Sequence, residues 1–238
     1  MIGPLLAGKG VIMADPLSVV ERLGESGGLQ NLSAPLQTAL FLGGMVLLPA
    51  LLVCLSPFTR IIIVLSFVRR AVTSQDIPPN TVLLGLSLFL SLFVMGPTLD
   101  EINVKAVTPY LDKQMTGAEA ARAGGASLHK FMLRHTRRQD LALFIHLAGL
   151  KSLQQPSDTP WHVLVPAYVI SELKTAFIMG FCIYVPFLLV DLVVASILTA
   201  MGMMMMPPVI ISAPFKILLF VLADGWHLVA RALSVSFG

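Results

Sequence analysis

Between Leu36 and Val68 the chain runs for 33 residues with a single charge, Arg60. One helical crossing of a bilayer core takes about 20 apolar residues, so this stretch is too long for one straight crossing. It has to bend or divide, and Pro57 is the natural break, because proline lacks a backbone donor and disfavours helix in the residue before it. The sequence predicts one helix over about 37–55 and a second over about 58–71, ending in Arg69 and Arg70. The polar loop Thr73–Asn80 follows, and then Val82–Leu99 contributes eighteen residues without a charge, interrupted late by Gly96 and Pro97. From Val163 to Leu233 the chain is apolar again. The block MGMMMMPP at 201–208 splits it into about 163–202, long enough for two crossings or one bent hairpin, and about 209–233.

Only 12% of the residues are charged, 56% are hydrophobic, and the mean hydropathy is +0.84. Globular chains carry about 25% charged residues, so this composition implies a membrane protein. The net charge of +3 is small, and the basic residues form no stripe interleaved with aromatics, which argues against a nucleic-acid partner. Charge is concentrated instead between Asp100 and Pro160, which hold 14 of the 29 charged residues. That segment reads as a small, water-exposed helical domain. Thr116 and Glu119 have capping-box spacing, and Leu128, Phe131, Met132 and His135, then Leu141, Phe144, Ile145 and Ala148, recur with helical period. Four segments follow: an arm over 1–35 rich in Gly, Ser and Pro, apolar helices over 36–99, the polar domain over 100–160, and apolar helices over 161–238. The opening residues make a poor signal peptide, because Lys9 follows the short apolar stretch and Gly and Pro interrupt it. Arg69 and Arg70 favour a cytoplasmic loop, which places the 100–160 domain outside the cytoplasm in a four-span insertion model.

Catalytic signatures are missing: there is no G-x-x-x-x-G-K-[ST], H-E-x-x-H, G-x-S-x-G or Cys-x-x-Cys. The expectation is a protein that is not an enzyme and uses no cofactor or metal. His129 and His135 have Arg134, Arg137 and Arg138 close by, a setting for a solvated face rather than for a cation. Cys54 and Cys182 sit in apolar runs as small hydrophobes. The informative polar residues are Arg60, Glu172, Lys174, Asp191 and Lys216, each surrounded by apolar sequence. A charge at bilayer depth costs at least about 3 kcal/mol unless it is paired or faces water. Asp191 lies twelve residues before Met203 and Lys216 ten after Met206, so a hairpin with its tip at the methionines sets them at one depth, where they can pair. Glu172 and Lys174 point about 200° apart on a helix and should reach different neighbours. Snorkelling to the headgroups is the alternative. Prolines 49, 57, 97, 166, 186 and 214 imply helices broken where other protein satisfies the backbone, hence assembly with other subunits. Four successive methionines, Met203 to Met206, fan around a helix and cannot share one stripe; Pro207 and Pro208 should end the helix inside the block. The block reads either as a deformable apolar constriction or as a Met-rich helix end inside a bundle.

Four strings carry a resemblance: LSPFTRIIIVLSFVRRA at 55–71, PPNTVLLGLSLFLSLFVMGP at 78–97, VLVPAYVISELKTAF at 163–177, and the stretch from Val185 to Val229 through the methionines. On them the chain resembles the FliP family, the P-type subunits of the type III secretion export gate, over about 36–238. The resemblance implies an all-helical subunit that forms a pentamer and joins Q-type and R-type subunits in a helical ring around an export channel. FlhA- and FlhB-type export components, exported unfolded flagellar proteins and the inner membrane at the flagellar basal body come with it. Met203, Met204 and Met205 match the family's methionine gasket, which closes the channel. The charges Glu172, Lys174, Asp191 and Lys216 fall on polar positions of the family pattern. Two departures stand out. The family runs from its methionines into Leu-Ser-Pro, whereas Met206 and Pro207 precede Pro208 here, which implies a stiffer constriction; and the family commonly opens on a clear signal peptide. Family members are also similar to bent hairpins lifted largely out of the bilayer in the assembled complex. The corresponding subunit of a virulence injectisome shares the pattern, and an ion-coupled secondary transporter is the reading from another class.

Overall fold

A computed structural model describes residues 33–72, 77–150, 155–203 and 206–238. Residues 1–32 of the arm expected over 1–35, and residues 73–76 of the polar loop, therefore lie outside the described residues, and the last two residues of that arm already belong to the first helix. Every element is helical apart from turns and loops: α1 Ala34–Leu55, α2 Phe58–Val72, α3 Asn80–Leu111, α4 Gly117–His135, α5 Arg138–Leu147, α6 Trp161–Ala200, α7 Pro208–Leu222 and α8 Gly225–Val235.

The break between α1 and α2 falls at Ser56 and Pro57, with Ser56 extended at φ −116° and ψ 167°. The hydroxyls of Ser56 and Thr59 both donate to the carbonyl of Val53, at 3.4 and 3.2 Å, and so serve an acceptor near the helix end. α2 is the central element. Its buried face, Arg60, Ile61, Val64, Leu65, Val68 and Ala71, has helical period and packs chiefly against α6. Close approach of the two helices depends on Gly180, where an added Cβ would lie 2.5 Å from the Phe67 ring.

α6 is a single helix of 40 residues, about 60 Å long and twice a bilayer core. The sequence left 163–202 open between two crossings and a bent hairpin; Pro166 and Pro186 sit within the helix without ending it. Its two halves differ. Up to Gly180 it supplies buried residues to the core, among them Leu164, Ala167, Tyr168 and Glu172; beyond Gly180 only Phe187 and Leu198 are buried. That second half pairs with α7 and turns Leu189, Leu192, Val193 and Ile197 outward.

α3 likewise passes Gly96, Pro97 and Asp100 unbroken and includes a π-helical turn at Asn103–Val107. Buried Ser87 and Ser91 return their hydroxyls to the carbonyls of Leu83 and Ser87. α4 opens on the capping box its sequence indicates: the Glu119 N–H donates to Thr116 Oγ1 at 3.3 Å, and the Thr116 N–H donates to Glu119 Oε2 at 2.7 Å. Phe131 and Met132 then enter the core.

Among the described residues two helices, α3 and α6, are long and apolar enough to cross a membrane, or three spans if α7 and α8, bent by 62°, count as one. Four spans were expected. α2 falls short because its 15 residues make about 22 Å and include Arg60, Arg69 and Arg70.

Candidate functional site

Three arrangements hold the sequence-selected residues. The first is the turn between α6 and α7. α6 stops at Ala200, ahead of the methionine block, where the sequence placed the end inside it. Gly202 is responsible: at φ +77° it takes the left-handed conformation, its N–H donates to Thr199 O at 3.0 Å, and the Met203 N–H donates to Leu198 O at 2.9 Å. This double closure is a Schellman motif. Pro207 and Pro208 do a different job from the one assigned to them, since Pro207 caps α7 and Pro208 begins it. Met203 and Met206 are 37% and 44% exposed at the hairpin tip. Met204 and Met205 lie outside the described residues.

The second arrangement staples the same hairpin. Lys216 Nζ lies 2.6 Å from Asp191 Oδ2, and the Ser212 hydroxyl donates to Asp191 Oδ1. The pairing of Asp191 with Lys216 follows from their distances to the methionines. Ser212 was missed, although it precedes Lys216 by four residues and so shares its helix face. Lys216 and Ser212 are buried, and Asp191 serves both donors at once.

The third arrangement binds the other half of α6. Arg60 faces Glu172 in two parallel bonds, Nε to Oε2 at 2.8 Å and Nη2 to Oε1. Both side chains are buried, and the planar fork suits a carboxylate. Arg60 Nη1 then donates to Ser236 O at 3.1 Å and Ser236 Oγ at 3.0 Å, and the guanidinium lies 3.8 Å from the centre of the Phe237 ring. One arginine thus joins α2, α6 and the residues after α8. The sequence marked Arg60 and Glu172 separately, with nothing local to connect residues 112 positions apart. Lys174 goes elsewhere, as its angle from Glu172 requires: it is exposed, with no ion pair among the described residues.

The histidines correct the solvated-face reading. His129 Nε2 lies 2.7 Å from Thr159 O, and His135 bridges Phe131 O and Phe237 O at 2.8 and 3.1 Å. Burial, aided by the cations Arg60 and Arg134, holds the His135 imidazole below its ordinary value against the pull of the two carbonyls.

These features define an all-helical protein with membrane-length apolar helices, fastened by a buried and a part-buried ion pair at two levels of one long helix. The profile described as the FliP family matches residues 41–233, and the chain belongs to that family. It is 50% identical over 208 residues to the flagellar biosynthetic protein FliP of Bacillus subtilis (strain 168), covering 87% of this chain and 94% of that protein. The Pectobacterium carotovorum subsp. carotovorum protein of the same name is 50% identical over 210 residues, covering 88% and 81%. That of Aquifex aeolicus (strain VF5) is 41% identical over 235 residues, covering 98% and 97%.

Proposed function

We propose that the chain is a non-enzymatic, pore-forming subunit of the flagellar type III export gate in the bacterial inner membrane, at the flagellar basal body. It passes unfolded flagellar subunits. The observation that carries this reading is the α6–α7 hairpin. Its tip presents Met203 and Met206, its base is stapled by Asp191, Ser212 and Lys216, and its outer faces leave Leu192, Ile197, Ile210 and Val221 uncovered. A hairpin this apolar needs neighbours or lipid. Several copies around one axis, five by the family pattern, bring their methionines together into an apolar ring that dewets when empty and deforms around a passing chain. Q-type and R-type subunits complete the ring, FlhA- and FlhB-type components deliver cargo to it, and the 100–160 segment lies on the periplasmic side. The flagellar names of the relatives favour this reading over an injectisome subunit. Purification with native partners and mass measurement of the intact complex tests it: a multimer with Q-type and R-type subunits supports the reading, and a partner-free monomer in mild detergent removes it.

A further inference from the structure

Lys174 stands exposed on a stripe of α6 whose other members are apolar. Ile170 lies one turn before it, and Phe177, Ile178 and Phe181 follow in the turns after it, all exposed and all at the spacing of one helix face. Lys174 makes no ion pair among the described residues. Beside it, Arg137 of the α4–α5 turn donates from Nη2 to Thr175 Oγ1 at 3.1 Å and makes no ion pair there either. The acids nearest in sequence answer neither cation: Arg60 engages both oxygens of Glu172, and Asp140 is buried and joins no ion pair among the described residues. We propose that this face of α6 docks a helix of a different protein, one that carries a single carboxylate between apolar residues and sets it against Lys174.

The face itself dictates the occupant. Large apolar side chains lie on both sides of the cation along the stripe, so whatever covers them is apolar, anionic and apolar again in that order. A helix with one Asp or Glu in an apolar face has this form, whereas a lipid carries its charge at one end. An occupant without an anion would strip the Lys174 ammonium of water and give it no counterion. A second copy of this chain has little to offer. Within α6 its two carboxylates are already held, Glu172 by Arg60 and Asp191 by Lys216 and Ser212. Asp224, at the bend between α7 and α8, is the exposed acid left in this part of the chain, and His227 Nδ1 lies 3.7 Å from it. Charge complementarity therefore favours a different chain, whose presence at this face presupposes the export-gate reading.

Mass measurement of the full-length protein purified with its native partners tests this, read as the occupancy of each partner type in the intact complex. Lys174→Arg keeps the charge and should hold every partner within about threefold of the parent. Lys174→Glu sets two carboxylates against each other and should cut the occupancy of one partner type at least about tenfold. Lys174→Met keeps apolar cover but leaves the neighbour's carboxylate unpaired, so it should lose the same partner; should Lys174→Glu fail to fold, this variant decides alone. A Lys174→Met complex that keeps its partners shows that no carboxylate faces position 174 and overturns the proposal. So does a Lys174→Glu complex of unchanged composition, the loss of a bound anionic lipid in place of a protein, or recovery of the parent composition when Asp224→Lys is added, which would make the occupant a second copy. A parent that purifies as a partner-free monomer removes the export reading and the docking face together, whereas a multimeric parent complex indifferent to Lys174→Glu and Lys174→Met removes the docking face alone.

Discussion

Lys216 Nζ and Asp191 Oδ2 stand 2.6 Å apart across the α6–α7 hairpin, and the pair fixes the register of the two helices behind the methionine tip. Removing Asp191 leaves the buried Lys216 ammonium without its counterion, at a cost of about 3–5 kcal/mol. Asp191→Lys should abolish assembly or motility, and combining it with Lys216→Asp should restore part of both. A double exchange no better than either single change would show that the staple is not what the hairpin needs. Ser212→Ala should be milder, about 1 kcal/mol, because Lys216 still holds the carboxylate.

Replacing Met203, Met204 and Met205 together with Gly should give an assembled complex that leaks small ions, because the apolar constriction loses its filling. Leucine at all three positions should keep the seal and slow export, since its branched side chain is less adaptable than a thioether. Conductance of the purified complex reads both effects. A glycine variant that assembles and stays as tight as the parent would move the seal elsewhere.

Gly180→Ala should destabilise the α2–α6 contact by about 1–3 kcal/mol, as its Cβ would meet the Phe67 ring at 2.5 Å. Phe67→Leu should relieve the crowding, so the double variant recovers thermal stability that Gly180→Ala alone loses. Additive losses in the two variants would refute the direct contact.

The Glu119 carboxyl is held below its ordinary value, first by the Thr116 backbone N–H and then by the Thr116 hydroxyl. A depressed carboxylate contributes order that is present above about pH 4.5 and is lost as pH falls through the folded value. Exchange protection in the first turn of α4 should therefore decline under acid, and Glu119→Gln should flatten that response. A first turn whose protection ignores pH down to about 3 would contradict the capping box as its source of order.

Sidedness is open to single-cysteine labelling after Cys54 and Cys182 are replaced by Ser. Gln114 and Ala121 are exposed and suitable, whereas Ser127 is buried and is not. Both cysteines should react with an impermeant reagent from the periplasmic side. Reaction only after the cytoplasm is opened would reverse the orientation drawn from Arg69 and Arg70.

The helices were legible because their signals are local. Pro57 divides α1 from α2, Thr116 and Glu119 start α4, and hydrophobic period marks the buried faces of α2 and α4. The need of Arg60, Glu172, Asp191 and Lys216 for partners was legible too, since a charge in apolar sequence must be paired or hydrated. Asp191 and Lys216 could even be matched, lying at similar distances from one turn. The Gly202 stop was present in the sequence and was masked by the prolines behind it, whose fixed φ serves equally to begin a helix.

The sequence by itself therefore determined an all-helical chain, its main breaks, and a short roster of charges that cannot stand alone. Only the tertiary structure decided that Glu172 belongs to Arg60, that the same guanidinium holds Ser236 and Phe237, and that His135 closes on that segment instead of facing water. The reason is physical. Caps, turns and periodicity depend on neighbours within a few residues, whereas the partner of a buried charge depends on which helices approach closely. Here that approach is set by the missing side chain of Gly180 beneath the Phe67 ring, a relation between residues 113 positions apart that no local pattern encodes.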